Sequence, residues 1–439
     1  MGSSSANTAP PAGLHTGLVP ALGRWDLTAL VVNTVVGGAI FGLPAVLAVL
    51  VGASSPIAYL IAGAGIAVIA LCFAEVASRF RAAGGPYLYA REAFGPFAGL
   101  QIAWINWLAR IAPAAANANL FVLYLGELWA PARTAAARVV LITALFAVVA
   151  GINYRGVRQG ATTSNLATIA KLLGLAVFIG VGLFFVRGGI FFSWPRTGQG
   201  QWSHAILLLM FAYGGLENAT IPASEMRDSR RDVPFALLAG LAIVTIFYLL
   251  VQIVFQGTLP AGIATERPLA TAAERFLGAP GAWLMAVAAM VSIWGWFAAT
   301  MLGSPRLTFA LGERGDFPRI FSAIHPRFRT PHVSILLYAG LGWVLALSGN
   351  FVWNASLAAV ARVLINGGTC AALPALRRRD PRPSAFRAPA GNLLAAAGVA
   401  FSLALLAQIG RSEFIILAAT VTLATLTWLW SRHRASMAP

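Results

Sequence analysis

Two glycine pairs stand inside long apolar runs, and each pair is followed by a proline. The first run reads VVGGAIFGLPA and contains Gly37 and Gly38, and the second reads FAYGGLENATIPA and contains Gly214 and Gly215. A helix that unwinds within a membrane frees backbone N–H and C=O groups, which are tolerated only where they line a cavity. The new helix N-terminus attracts a carboxylate and the freed carbonyls suit an ammonium group, so one cavity can hold both ends of an amino-acid zwitterion.

Close packing is the structural alternative, because glycine-rich stretches in membrane helices more often serve as packing surfaces than as ligand sites. Each pair taken alone favours packing. The pairs, however, occupy matching positions: Gly38 lies 11 residues after the start of the apolar run at 27, and Gly214 lies 11 residues after the start of the run at 203. Since these are the first and sixth apolar runs, the match favours a ligand site between inverted repeats.

Lys171 is the only lysine, since the other 30 of the 31 Lys and Arg residues are arginine. It is the tenth residue of the apolar run 162–187, about 13 Å from the start of a helix that rises about 1.5 Å per residue. A lysine stem can snorkel part of that distance, which is the structural alternative. The functional interpretation is that arginine stays protonated in proteins, whereas a desolvated lysine can lose its proton.

Three other charged residues lie inside apolar runs. Glu217 follows the second break by three residues, and a buried acid must be partnered or protonated; capping the next half-helix is its structural alternative. Arg110 and Arg362 must face protein or water. An ion pair with Glu217 or Glu127 is the structural expectation for both arginines.

Further candidates surround these residues. Glu75 with Arg79 and Arg81 predicts either a cytoplasmic gate network or a solvated helix end, and the sequence favours neither. Aromatic residues of the third, sixth and eighth runs are candidate pocket walls, namely Trp107, Tyr213, Trp294 and Trp296. Because any one of them is more often a lipid-facing or packing residue, only Tyr213, beside the second break, is retained as a site residue.

The composition explains which elements must carry these residues. Of 439 residues 59% are hydrophobic and 10% charged, with a mean hydropathy of +0.77, which indicates a polytopic membrane protein. The pI of about 11.3 does not indicate nucleic-acid binding, because the basic residues sit between apolar runs. Neither a nucleophile with its base, nor a metal cluster, nor a phosphate loop is found, so we expect no enzyme and no cofactor.

Twelve apolar runs are each long enough to cross a bilayer as a helix. They lie near 27–50, 54–79, 97–127, 134–152, 162–187, 203–226, 233–257, 278–312, 333–349, 351–374, 392–409 and 412–430. The two termini and the loops after even-numbered runs hold 20 Lys and Arg residues, and the opposite loops hold seven. The positive-inside rule therefore predicts that both termini are cytoplasmic.

These motifs resemble those of a known group. The run VVGGAIFGLPA resembles the G-S/T-G-I-F segment of the amino acid, polyamine and organocation (APC) transporter superfamily. Residues 73–99, FAEVASRFRAAGGPYLYAREAFGPFAG, and 211–237, FAYGGLENATIPASEMRDSRRDVPFAL, resemble its second and sixth spans with the segments that follow. The resemblance covers about 24–390 and implies a leucine-transporter-type (LeuT-type) fold, with ten core helices in inverted repeats, two peripheral helices and alternating access.

The resemblance also implies a domain organisation and roles for individual residues. We expect a disordered cytoplasmic tail over 1–23, a transporter core over 24–390, two peripheral helices over 391–431 and a cytoplasmic tail over 432–439. Backbone amides that would receive the substrate carboxylate belong to Gly38, Ala39 and Ile40. Carbonyls that would receive its amine belong to Val35, Phe211 and Gly214. Phe211 also stands where the family places an aromatic gate over the substrate. Ala39 replaces a glycine of the family motif, and its methyl group leaves the size of the substrate undetermined.

For the charged residues the resemblance implies coupling or gating. Sodium-independent members of the superfamily carry a lysine at the position of Lys171. That lysine lies near the place where sodium-coupled relatives bind sodium, and it ties span 1 to span 8. Glu217 would act in gating or proton handling, and Arg110 in the substrate vestibule. No sodium site is therefore expected.

We thus predict an all-α, twelve-helix transporter of L-amino acids in the cytoplasmic membrane. It would act without sodium, as a proton-coupled symporter or an exchanger, with neutral amino acids as first choice. The alternatives are an antiporter of cationic amino acids or polyamines, an ion channel, and a transport-inactive sensor or assembly partner. Its partners would be an amino acid, the lipid bilayer and, for a symporter, protons, but not nucleic acid; oligomeric state is not predicted.

Overall fold

A computed structural model describes residues 23–80, 85–156, 160–193, 201–216, 229–263, 265–313, 315, 317–379, 384 and 386–437. Over these residues the chain forms helices, turns and loops, without strands. The helices are α1 (Arg24–Val35), α2 (Ala39–Val51), α3 (Ser55–Ser78), α4 (Gly85–Phe94), α5 (Pro96–Leu128), α6 (Ala135–Tyr154), α7 (Gly160–Gly182), α8 (Gly188–Ser193), α9 (Trp202–Ala212), α10 (Ser229–Thr258), α11 (Pro268–Glu313), α12 (His332–Ser348), α13 (Phe351–Arg379), α14 (Gly391–Leu406) and α15 (Arg411–Met437).

Many of these helices are long and apolar enough to cross a membrane. Among the described residues seven stretches meet this condition by length and composition: Ala39–Ser78, Pro96–Leu128, Ala135–Tyr154, Arg231–Thr258, Pro268–Glu313, Phe351–Arg379 and Arg411–His433. Four shorter apolar helices accompany them. The structure thus agrees with the prediction of an all-helical, polytopic membrane protein.

Burial separates central helices from outer ones. The most apolar windows of α5 and α13 are 78% and 72% buried, whereas those of α6 and α15 are 28% and 11% buried. Helices α5 and α13 pack along each other, and α11 packs against both α5 and α7. Because apolar side chains on α6 and α15 have little protein to cover them, lipid is their natural solvent.

The two predicted breaks are present. The backbone leaves the helical path between Val35 and Ala39, and it turns again over 213–216, directly after α9 ends at Ala212. The rest of the sixth predicted run lies in residues 217–228, outside the described residues. Helix α9 packs against α2, α3 and α13, so the breaks lie side by side at the centre of the molecule.

Some predicted boundaries differ from the observed ones. Helix α11 begins at Pro268, ten residues before the predicted start, and bends at Gly278, whose φ of 66° is not helical. Helix α15 continues to Met437, so most of the cytoplasmic tail predicted over 432–439 is helical. Of the N-terminal tail predicted over 1–23, only residue 23 is described.

Candidate functional site

A cavity of about 320 Å³ lies between the two breaks, within the size range of small-molecule sites. Its walls come from the α1–α2 junction, α5, α7, α9, α11 and α13. The predicted site residues that line it are Val35, Gly38, Ala39, Arg110, Lys171, Phe211 and Gly214. The fold thus brings together residues that are up to about 180 positions apart in the chain.

The first break supplies donors. Gly38 precedes the first residue of α2, and the earliest turn bond of this helix runs from Phe41 N to Gly38 O over 3.0 Å. The amides of Gly38, Ala39 and Ile40 come before that bond, where a helix offers no carbonyl to accept from them. Together with the positive end of the helix dipole, they make this N-terminus suitable for a carboxylate.

Asn117 of α5 faces the same helix end. A Cβ added at Gly38 would overlap the Asn117 Oδ1 atom, so only glycine allows this close approach. The Asn117 side chain is 2% exposed, and its Oδ1 atom has no hydrogen-bond partner among the described residues. Ser292 of α11 also lines the cavity with a buried hydroxyl group that lacks a described partner. In the sequence, Asn117 and Ser292 could have been noticed only as polar side chains within alanine-rich or apolar runs.

Lys171 lies against the other side of the first break. Its ammonium Nζ donates to Val36 O at 2.5 Å, Asn33 O at 3.0 Å and Asn33 Oδ1 at 3.1 Å. Two of these acceptors are carbonyls at the C-terminal end of α1, where the helix dipole is negative. The tie to span 1 is present, whereas none of the described hydrogen bonds of Lys171 reaches span 8, which corresponds to α11.

The second break touches the first. Gly215 has a φ of +113°, and a Cβ added there would come within 2.7 Å of Thr34 O. Glycine is therefore required both by the backbone conformation and by the close approach. The Thr34 Oγ1 atom lies 3.3 Å from Gly215 O, which joins the two breaks directly.

Tyr248 of α10 connects the two helix ends. Its hydroxyl group lies 3.1 Å from Val35 O and 3.0 Å from Ala212 O, the terminal carbonyls of α1 and α9. The ring is fully buried. A single residue on a third helix thereby fixes the relative position of the broken helices, and the sequence analysis did not identify it.

Two of the carbonyls predicted to receive the substrate amine already have a hydrogen-bond donor within the protein. Val35 O lies within reach of Tyr248, and Phe211 O accepts from Gly214 N at 3.2 Å. A carbonyl oxygen has two lone pairs, so each retains capacity for a ligand. The Phe211 ring lines the cavity and meets Phe351 edge-on at 6.1 Å.

Two arginines join Lys171 around the cavity. Arg110 projects from α5 and Arg362 from α13, and both line the cavity. The Arg362 guanidinium lies so close to Gly214 that an added Cβ would overlap it. Within the described part of the lining, three residues are cationic and none is Asp or Glu.

One of the two ion-pair partners expected for these arginines needs correction, and the other is not tested. Glu127 pairs with Arg267, at the start of α11, and not with Arg110 or Arg362. Glu217 lies outside the described residues. The sequence does not show that the end of α5 meets the segment before α11, which is why the pairing of Glu127 with Arg267 was not predicted.

Two predicted site residues lie outside the cavity wall. Tyr213 points away from the cavity, and its buried hydroxyl group lies 3.1 Å from both Tyr59 O and Thr245 Oγ1. The Ile40 side chain is buried in the core, so only its amide is available to the site. Of the tryptophans considered, Trp296 lines the cavity, while Trp107 packs against Trp104.

Glu75 belongs to a buried network. Its carboxylate is 0% exposed and accepts from Arg79 at 3.0 Å, from Arg377 at 2.6 and 2.8 Å and from Ala388 N at 2.8 Å. Arg81 lies outside the described residues. This burial excludes the solvated helix end, and the network joins α3, α13 and the segment before α14.

Comparison with known proteins gives consistent matches. A family model described as amino acid permease matches residues 22–428. A serine/threonine exchanger of Bacillus subtilis is 31% identical, over 77% of this chain and 79% of that protein. A branched-chain amino acid permease of the same organism is 26% identical (89% and 88%), and an arginine/agmatine antiporter of Chlamydia felis is 28% identical (76% and 72%).

Proposed function

The chain belongs to the amino acid permease family within the superfamily that its motifs resemble, and from this premise we propose that it moves amino acids by alternating access without sodium. Membership makes it a membrane transporter and not an enzyme. The relatives are named for different substrates and for both permease and exchange activity. Substrate and coupling must therefore be argued from this chain's own residues.

We propose a LeuT-type arrangement of twelve spans with cytoplasmic termini. The breaks in the first and sixth spans, at matching offsets, support inverted repeats over the core 24–390, with α14 and α15 peripheral. A bundle of spans 1, 2, 6 and 7 would rock against the rest. Tyr248 on α10, the seventh span, supports this division, because it ties α10 to both broken helices.

The three hydrogen bonds of Lys171 carry the proposal of sodium independence. An ammonium group has three N–H donors, and each finds an acceptor at the C-terminal end of α1. Carbonyl oxygens at a broken helix are also the ligands that a sodium ion would use. A side-chain cation that already occupies them leaves no role for sodium at this place.

An amino-acid zwitterion fits the remaining groups. The N-terminus of α2 would receive its carboxylate, and carbonyls at the ends of α1 and α9 would receive its amine. Cationic amino acids and polyamines are disfavoured, because none of the described lining residues is an acid that could accept a further cationic group. Exchange and proton symport remain the two modes to be distinguished.

The test is uptake of a labelled amino-acid panel by proteoliposomes, with and without sodium, a proton gradient and internal counter-substrate. We expect saturable uptake that sodium does not change and that either protons or counter-substrate drive. Absence of saturable uptake for every amino acid would instead indicate a sensor or assembly partner. Single-channel currents would indicate a channel.

A further inference from the structure

Two asparagines stand two positions apart in the run AAANANL of α5, and the protein uses them differently. The Nδ2 atom of Asn119 donates to Ala115 O and Ala346 O, both at 3.0 Å. Its Oδ1 atom accepts from Arg138 at 2.8 and 3.1 Å, so this carboxamide is fully engaged within the protein. Residues two positions apart lie on nearly opposite sides of a helix, and Asn117 accordingly faces the cavity.

Asn117 is buried without the partners that its neighbour has. The residue is 2% exposed, and its Oδ1 atom has no hydrogen-bond partner among the described residues. Buried polar groups in proteins are nearly always hydrogen-bonded, and one left unsatisfied costs about 1 to 3 kcal/mol. A polar group that remains unsatisfied in the wall of a cavity is explained by a ligand that supplies the missing partner.

Capping of α2 is the structural alternative, because the Asn117 side chain lies against Gly38, which precedes the first residue of that helix. A capping role requires an amide of the first helical turn to donate to the side-chain oxygen. No such bond to Asn117 is present among the described residues. Asn117 therefore approaches the helix end without capping it, and the first-turn amides stay available to a carboxylate.

The chemistry of the carboxamide indicates which part of a substrate it would meet. It offers one oxygen that accepts and one NH2 group that donates, whichever way the two are assigned. A substrate carboxylate at the α2 N-terminus only accepts, so it cannot satisfy the Asn117 oxygen. The substrate amine is directed to the carbonyls at the ends of α1 and α9. The substrate side chain remains, and hydroxyl and carboxamide groups both donate and accept, whereas apolar groups do neither.

Resting on the function proposed above, we propose that Asn117 determines specificity by binding the side-chain hydroxyl or carboxamide group of a neutral polar amino acid. Asn117 lies against Gly38, and therefore beside the place proposed for the α-carboxylate. An apolar amino acid of the same shape would leave the buried carboxamide unpaired and would bind less well. Within the neutral amino acids that the sequence favoured, the polar ones are thus preferred.

Pairs of amino acids with similar shapes test the proposal on the unmodified protein. Threonine and valine differ by a hydroxyl group, as do serine and 2-aminobutyrate, and asparagine and leucine differ by a carboxamide. We expect the kcat/KM of proteoliposome uptake to be at least about 10-fold higher for the polar member of at least one pair, because a site built around a hydrogen bond rejects the analogue that lacks it. Equal or higher values for the apolar members of all three pairs, or uptake of other amino acids only, would overturn the proposal but leave amino acid transport standing. Absence of uptake for every amino acid would instead refute the proposed function.

Variants then test the assignment to Asn117. Asn117→Leu and Asn117→Ala should each lower kcat/KM for the polar member about 10- to 100-fold and leave the apolar member unchanged or improved. An equal loss for both members would show that Asn117 supports the fold or the shared part of the substrate, and it would overturn the proposal.

The matched control is Asn119→Leu, which changes the same residue type on the same helix but outside the cavity wall. It removes hydrogen bonds within the protein, so the melting temperature in detergent should fall while the ratio of polar to apolar uptake stays that of wild type. A ratio that changes equally in the Asn119 and Asn117 variants would show that selectivity responds to any disturbance of α5, and it would overturn the assignment.

Discussion

Replacement of Lys171 by methionine is the most informative single change, because methionine keeps much of the stem's shape and removes the ammonium. The shortest of the three lost bonds joins Nζ to Val36 O, whose residue is 1% exposed. A hydrogen bond to a charged group contributes about 1.5 to 3 kcal/mol, and a buried carbonyl left without a donor costs a similar amount. The contact between α7 and the α1 break should weaken by about 2 kcal/mol or more.

The effect on transport depends on which conformational states of the transport cycle contain this contact. Because α1 would belong to the moving bundle and α7 to the scaffold, the contact differs between states, and only that difference changes the rate. A difference of about 1.4 to 2.8 kcal/mol predicts a 10- to 100-fold slower uptake. Initial rates should be measured in proteoliposomes for wild type, Lys171→Met, Lys171→Arg and Lys171→Ala, each corrected for reconstituted protein.

The arginine variant is the control for charge. It keeps the cation but not the compact three-donor geometry, so we expect activity between those of wild type and the methionine variant. Full transport by the methionine, alanine and arginine variants at every pH would refute this reasoning. Lys171 would then be a snorkelling residue only.

Three other changes test the framework of the site. Gly215→Ala introduces a side chain at a positive φ and against the first broken helix, so we expect destabilisation by about 1 to 3 kcal/mol. The measurement is the melting temperature in detergent, which should fall. The control is Gly180→Ala, where an added Cβ meets no atom within 4 Å. Tyr248→Phe removes the hydroxyl group between the ends of α1 and α9, and a loss of about 1 kcal/mol should slow uptake several-fold while the ring keeps the fold intact; wild-type uptake would contradict its role. Glu75→Gln removes the charge of a fully buried carboxylate that pairs with Arg377 and should cost about 3 to 5 kcal/mol. Glu127→Gln, where both partners are partly exposed, should cost less; equal melting shifts would contradict the importance of burial.

The sequence contained most of the fold because helices in a membrane need long apolar runs. Each of the twelve predicted runs contains helical residues of the structure, and both breaks lie at the glycine pairs. The breaks were predictable because Gly37, Gly38, Gly214 and Gly215 act through the backbone, which needs no distant partner.

The partners of side chains could not be predicted in this way. Glu75 meets Arg377 across 302 positions, and Tyr248 meets Val35 across 213. Such contacts depend on how helices pack, and no periodicity along the chain records them. For the same reason the sequence could not indicate that Arg110 and Arg362 line one cavity.

Sodium dependence of uptake tests the central claim most directly. Proteoliposomes loaded with unlabelled amino acid should take up the labelled form at the same initial rate in sodium and in choline buffer. We expect a ratio near one for wild type, because the Lys171 ammonium already occupies the carbonyls at the α1 break. Uptake that requires sodium, or accumulation driven by a sodium gradient, would contradict it.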